Sequence, residues 1–300
     1  MSLGSWLTFG EAVDQDATTA VVRRAFELGV TLFDTANVYA RGGAEEVLGR
    51  AIADLPRDDI VVATKVFGEM GQGPLDRGLS AAAIVYQCEQ SLRRLGVVTI
   101  DLYQCHRYDP EVPLEETCGA MDGLVRAGQI RHWGVSEWTA AQIQESLELC
   151  EREGLTPPVS DQSRYSMLQR EAEEEVLPAC GRLGLGVLAF SPLAQGMLTG
   201  KYRSPDGSPA GSRASGEQGR LLRERFFTPE HFARVERLLR VAEDLAVPLA
   251  RVAIAWTLRQ PEVTSAIVGA TRTEQLEENV AAAELELTDE VLEQIEEALR

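Results

Sequence analysis

Short apolar runs alternate along this chain with longer stretches in which apolar side chains return every three or four positions. The short runs predict strands at Leu3–Phe9, Thr31–Thr35, Ile60–Lys65, Ile100–His106, Ile130–Ser136, Pro158–Gln162, Gly186–Ser191 and Thr264–Gly269. The longer stretches predict helices. In the clearest, Ala81, Ile84, Val85, Cys88, Leu92 and Leu95 share one face at helical spacing. Several helices stop at a glycine (Gly29, Gly96, Gly128, Gly154, Gly184), which suits the left-handed position just past a helix end, and a strand follows soon after. Strand and helix alternating in this way, with mostly apolar strands, predict an α/β fold in which helices cover a parallel sheet. At 300 residues the economical form is one (β/α)8 TIM barrel, a single domain over residues 1–300.

A doubly wound open sheet competes with the barrel, but its nucleotide-binding fingerprint is missing. After Gly71-Gln72-Gly73, the position that needs a third glycine holds Asp76. The stretch from Gly196 to Lys201 is one residue too short for a P-loop, and Tyr202 stands where Ser or Thr is required. Two segments break the rhythm. Residues 203–219, rich in Ser, Gly, Pro and Arg, form a loop after the seventh strand that is longer than such connections usually run. Thr288 to Arg300 reads as an extra C-terminal helix with Val291, Leu292, Ile295 and Leu299 on one face.

Composition narrows the function. A net charge of -18 argues against nucleic acid or an anionic membrane as partner, because either needs a basic face. Five cysteines with no C-x-x-C pair read as reduced thiols. The opening MSLGSWLTFG has neither a charged n-region nor a cleavage site, and no apolar run approaches the roughly 20 residues of a membrane span. A cytoplasmic location is expected. Of 29 basic residues only Lys65 and Lys201 are lysines, and Lys65 closes an apolar strand.

Barrels of this kind build their sites from the C-terminal strand ends and the loops beyond them. Here those positions hold Asp34, Lys65, His106, Ser136, Gln162 and Ser191, with Tyr39 on the loop after the second strand. That set suits proton chemistry without a metal. The Lys65 ammonium favours the Tyr39 phenolate, Asp34 pairs with Lys65, and His106 is able to hydrogen-bond the oxygen that receives the proton. Taken alone, Asp34 and Lys65 also fit a purely structural ion pair. Trp6 and Phe67, near strand ends, are expected to shape a substrate pocket. His132 reads as packed or surface-lying and His231 as exposed. No His, Cys or carboxylate cluster has metal-ligand spacing, so the metal expectation is none.

Around these residues the sequence resembles the aldo-keto reductase superfamily, in LFDTANVYARGGAEEVLG, VVATKVFG, DLYQCHRYDP, WGVSEW, FSPLAQGMLTGKY and IVGATRTEQLEEN. Within it, GSW, FDTANVYA, SPLAQGMLTGKY and GSRAS are similar to the branch of potassium channel β-subunits and their bacterial relatives. The resemblance implies an NADPH-dependent oxidoreductase (EC 1.1.1 type) that reduces an aldehyde or ketone, with Tyr39 giving the proton and Asp34, Lys65 and His106 completing a tetrad. It assigns Ser136 and Gln162 to the nicotinamide carboxamide, Phe190 to stacking on the ring, and Ser191, Pro192, Leu193 and Gln195 to the pyrophosphate. Lys201 and Arg213 fall in the loop that covers the cofactor, and Gly269, Thr271, Arg272, Gln275, Glu278 and Asn279 fall where the adenosine and its 2′-phosphate bind.

Two other readings stay open: an NADPH-holding redox-sensing subunit with slow turnover, and a keto-sugar nucleotide reductase of a deoxysugar pathway. The expected partner is a small carbonyl compound, with a homo-oligomer left open. Position 106 is His where channel β-subunits carry Asn, and position 137 is Glu where many reductases carry Asn. The chain starts at the first strand, whereas relatives usually begin with a hairpin that closes the barrel floor. The floor is therefore expected either to lack that hairpin or to be covered differently.

Overall fold

The structure, a computed structural model, describes residues 1–5, 13–204, 207, 209, 212–215 and 219–300. For Arg213 and Leu221 it describes the backbone alone. Eight parallel strands close into a barrel in sequence order. They are β1 (Ser2–Gly4), β2 (Leu32–Asp34), β3 (Val61–Val66), β4 (Ile100–Cys105), β5 (Ile130–Ser136), β6 (Ser160–Arg164), β7 (Gly186–Phe190) and β8 (Val263–Val268). The strands alternate with α1 (Gln15–Glu27), α2 (Gly43–Ile52), α3 (Ala81–Leu95), α4 (Leu114–Arg126), α5 (Ala140–Glu153) and α6 (Val176–Leu183). Beyond β7 come α7 (Arg220–Phe226), α8 (Pro229–Asp244) and α9 (Leu249–Leu258); beyond β8 come α10 (Thr273–Val280) and α11 (Asp289–Leu299).

Local chemistry sets these boundaries. Ser80 and Thr139 cap α3 and α5 through their side chains, and Thr139 forms a reciprocal box with Gln142. Gly96 and Gly154 end the same two helices in the left-handed conformation, as their positions imply. The sixth strand differs from expectation: it begins at Ser160 rather than Pro158 and runs on to Arg164. Pro157 and Pro158 have no N–H to offer a ladder, while Arg164 pairs in register with Phe190. The first strand covers Ser2–Gly4 only, and the rest of the stretch to Phe9 lies outside the described residues. The extra C-terminal helix is present as α11, with Ile295 and Leu299 buried.

Two apolar layers hold the fold. The larger lies between strands and helices and includes Phe33, Tyr103, Cys105, Trp133 and Val187. The smaller fills the barrel interior with Ala63, Leu102, Leu188 and Ile267, joined by Leu32 and Phe190. Two residues further along β2, β3, β4 and β6, the inward positions turn polar: Asp34, Lys65, Gln104 and Gln162. Gly134 lets β5 and β6 close beneath this polar layer, because a Cβ there would lie 2.4 Å from the Ser160 hydroxyl oxygen. At the N-terminal end a hollow of about 340 Å³ is lined by Val61, Leu102, His132, Val159 and Leu188. His132 is therefore exposed on the floor, remote from the polar layer. His231 is half-buried rather than exposed, its ring near Phe226 and its Nδ1 beside the Thr228 hydroxyl.

Asp161 on β6 points away from the barrel axis and has no exposed surface. Its Oδ2 accepts from the Ser163 hydroxyl, but Oδ1 has no partner among the described residues. Burial pushes its pKa up to about 7, with a smaller push from Glu137 and partial relief from Ser163. The folded state thus binds this proton more tightly than the unfolded one, so stability falls as pH rises from the ordinary 3.8 through about 7. Asp161→Asn removes that loss, and its gain in Tm over the parent is expected to grow by roughly 5 °C between pH 4 and pH 8. A gain that does not change with pH, measured by thermal melts, would rule this out.

Candidate functional site

The polar layer converges on Asp34. The Lys65 ammonium donates to Asp34 Oδ2 at 2.6 Å and to the Thr35 carbonyl at 2.7 Å. The side-chain amide of Gln162 donates to Asp34 Oδ1 at 3.0 Å, and that of Gln104 donates to the same oxygen at 3.3 Å. Lys65 has no exposed surface at all, so its charge is balanced locally rather than by water. Backbone bonds past the strand ends fix these groups: Asn37 N–H to Lys65 O at 3.1 Å, and His106 N–H to Val66 O at 2.9 Å.

Tyr39 sits on the loop after β2, its ring centroid 5.2 Å from the Lys65 ammonium. Its ring meets that of His106 edge-on at 5.7 Å. The electrostatics give each group a distinct protonation state. Burial raises the Tyr39 phenol above its ordinary value and Asp34 adds to this, while Lys65 and Arg107 oppose without reversing it. Burial works against the Lys65 ammonium, but Asp34 and Tyr39 outweigh it and its pKa is raised. His106 is driven well below its ordinary 6.5, first by burial and then by Lys65 and Arg107. At neutral pH the site therefore holds a phenol, an ammonium and an uncharged imidazole.

Backbone strain marks the same end of the barrel. Eight non-glycine residues among those described have left-handed φ, and all but Ala246 lie on loops that leave C-terminal strand ends. They are Ala40 and Arg41 beyond Tyr39, Phe67 beyond β3, Glu137 beyond β5, and Ser191, Ala194 and Gln195 beyond β7. Such conformations cost of order 1–3 kcal/mol each and gather where function demands them.

The family model described as the Aldo/keto reductase family matches residues 1–300. The chain belongs to the aldo/keto reductase family. Two similar proteins are each named "Probable voltage-gated potassium channel subunit beta". The one from Oryza sativa subsp. japonica is 41% identical over 301 residues, covering 99% of this chain and 91% of its own length. The one from Arabidopsis thaliana is 40% identical over 305 residues, covering 100% of this chain and 92% of its own. Membership carries oxidoreductase chemistry on this barrel. No group of side chains among the described residues is arranged to hold a metal, and no helix among them is long and apolar enough to cross a membrane.

The positions expected to hold a dinucleotide in this aldo/keto reductase fall into two groups. Several stand ready for one. Gln195 Oε1 is buried without a partner, and Lys201 and Arg272 are exposed cations that make no ion pair among the described residues. The left-handed turn at Ser191, Ala194, Gln195 and Gly196 lies beside Lys201, whose Nζ is 3.3 Å from where a Gly196 Cβ would be. Pro192 is buried and Leu193 half-buried in that turn, and Arg272 is the N-cap residue of α10. These features fit an anionic cofactor.

Others are engaged within the protein. Gln162 holds Asp34, the Ser136 hydroxyl donates to the Gln162 carbonyl at 2.9 Å, and Phe190 lies 5.3 Å from the Arg164 guanidinium carbon. Gln275 accepts from both Thr271 N–H and Thr271 Oγ1 at 3.0 Å, Glu278 pairs with Arg251, Asn279 is buried and Gly269 exposed. Phe67 is half-buried beyond β3, whereas Trp6 lies outside the described residues and the Arg213 side chain is not described. Sequence reasoning missed Gln104, which two-residue alternation from Leu102 to His106 places inward. It also missed the pairing of Glu137 with Arg164 at 3.5 Å.

Proposed function

We propose that this chain is an NADPH-dependent carbonyl reductase that converts an aldehyde or ketone to its alcohol with Tyr39 as proton donor. The observation that carries this reading is Tyr39 packed beside a buried Lys65 that is paired with Asp34, with its ring edge-on to that of a neutral His106. When bound, a reduced nicotinamide supplies the hydride. The side chains do the rest. His106, as a neutral donor, orients the carbonyl oxygen toward Tyr39. As charge develops on that oxygen, Tyr39 passes its proton and Lys65 stabilises the phenolate left behind. Solvent then returns the proton, so one carbonyl, one NADPH and one proton become alcohol and NADP+.

The turn from Ser191 to Gln195, with Lys201, would hold the pyrophosphate, and Arg272 with the first turn of α10 the 2′-phosphate. Ser136 and Gln162 would meet the carboxamide, and Phe190 the ring. Titration with NADPH and NADH by intrinsic fluorescence, followed by NADPH oxidation with nitrobenzaldehyde and methylglyoxal, tests the reading. Failure to bind NADPH would sink it. Arg272→Ala is expected to weaken NADPH roughly tenfold while leaving NADH almost unchanged. An equal loss for both would remove its phosphate role.

The names of the Oryza and Arabidopsis relatives favour a second reading, a redox-sensing subunit that holds NADPH and turns over slowly. Tight NADPH binding in a tetramer with slow product release would support it. Steady turnover of simple aldehydes would count against it.

A further inference from the structure

Arg107 and Arg237 are half-buried arginines with no carboxylate partner among the described residues; Arg237 donates to the Ala298 carbonyl on α11, far in sequence from the polar layer, whereas Arg107 directly follows His106. Arg57, Arg94, Arg164, Arg170, Arg251 and Arg259 each pair with a carboxylate. Arg107 pairs with none among the described residues; its guanidinium instead donates through Nη1 to the carbonyl of His106. The nearest acid in sequence, Asp109, is turned to the backbone N–H groups of Leu79 and Glu111. Yet Arg107 lies close enough to Tyr39 and His106 for its charge to act on both. A partly desolvated cation with no acid beside it leaves its charge available to an anion that enters the site.

Its place in the barrel separates it from the cofactor anions. Arg107 follows β4, whereas Ser191 to Lys201 follow β7 and Arg272 follows β8, the strand across the barrel from β4. Of the cations that reach Arg164 electrostatically, Arg107 and Arg225, neither has a carboxylate partner among the described residues, while Arg164 itself is neutralised by Glu137. Glu171 acts on Arg164 as well, so Arg107, next to His106, is the cation without an acid that stands nearest the proton donor, and its planar fork matches a carboxylate.

We infer that Arg107 is the recognition site for a carboxylate on the substrate, so that the protein acts on aldehydes or ketones that carry a carboxylate within reach of the reacting carbonyl. This rests on the reductase reading above. One guanidinium with no acid beside it suits a monoanion, which balances the single charge of Arg107 while the carbonyl faces Tyr39 and His106.

The test compares 4-carboxybenzaldehyde with methyl 4-formylbenzoate, nearly equal in size and differing by one charge. The acid is expected to show a KM about tenfold below that of the ester at low salt, with similar kcat, and the ratio should shrink as ionic strength rises. Arg107→Gln should bring the ratio of the two kcat/KM values near one, and Arg107→Lys should restore part of it. A second arm needs no turnover: binding of 4-(hydroxymethyl)benzoate and of benzyl alcohol to the NADP+-saturated protein, read by fluorescence, should favour the carboxylate in the parent but not in Arg107→Gln. Equal affinity for charged and neutral ligands in the parent would overturn the inference, as would loss of NADPH binding in Arg107→Gln, which would give this cation to the cofactor. Failure of the reductase reading looks different: neither aldehyde is reduced, while the binding arm still reports on the carboxylate.

Discussion

Tyr39→Phe is expected to lower the rate of carbonyl reduction by about 10²–10⁴-fold while NADPH binds as tightly as before. The substitution removes one oxygen and little else. A phenylalanine ring keeps the edge-on contact with His106 and the position beside Lys65, so the pocket keeps its shape. Lost is the one group at the site that is both protonated at neutral pH and beside a cation able to stabilise its conjugate base. His106 is a poor substitute, because its pKa lies well below 6.5 and it carries no second proton to give.

The pH profile follows from the same directions. With His106 titrating below 6.5 and Tyr39 above 10, kcat/KM for reduction should be flat across the neutral range and fall only at alkaline pH, when the phenol ionises. Alcohol oxidation should rise along the same limb. A Tyr39→Phe protein with full activity, or an inflection near pH 6.5 that His106→Gln abolishes, would move the proton to another residue.

Much of the architecture is legible in the chain because strand and helix periods differ so clearly. The glycine stops at Gly96 and Gly154 and the strand carrying Lys65 lie where the pattern places them. The sixth strand lies two residues beyond its expected place, because the apolar run there begins at Pro158, which looks buried but has no N–H for the ladder. Asp34, Lys65 and His106 stand out as polar residues closing apolar runs, with Tyr39 on the loop after the second strand, and the fold gathers them. Gln104 did not stand out, since a glutamine inside a strand carries no signal until its neighbours are known, and Arg107 was one arginine among 27. Gln162 shows the limit of position alone: its strand-end place was legible, but its bond to Asp34 depends on three strands at once. Left-handed φ at Glu137 and Ser191 is also invisible in sequence, because neither residue is a glycine.

Lys65→Met should have the largest combined effect, and it separates the structural from the chemical role of the buried pair. Methionine fills much of the same space but leaves Asp34 as a carboxylate held only by the amides of Gln104 and Gln162. Breaking a buried pair from one side costs about 3–5 kcal/mol, so a large fall in unfolding free energy is expected. Activity should fall by at least about 10²-fold, because the phenolate of Tyr39 loses its ammonium. If the pair were only structural, replacing both partners would repair the damage. In Lys65→Met/Asp34→Leu no charge is stranded, and most of the stability should return. Activity should not, since the field on Tyr39 is not restored. Denaturant melts and NADPH-oxidation rates on the two single variants and the double variant complete the cycle. Recovery of stability and activity together would mean that Lys65 serves the fold alone.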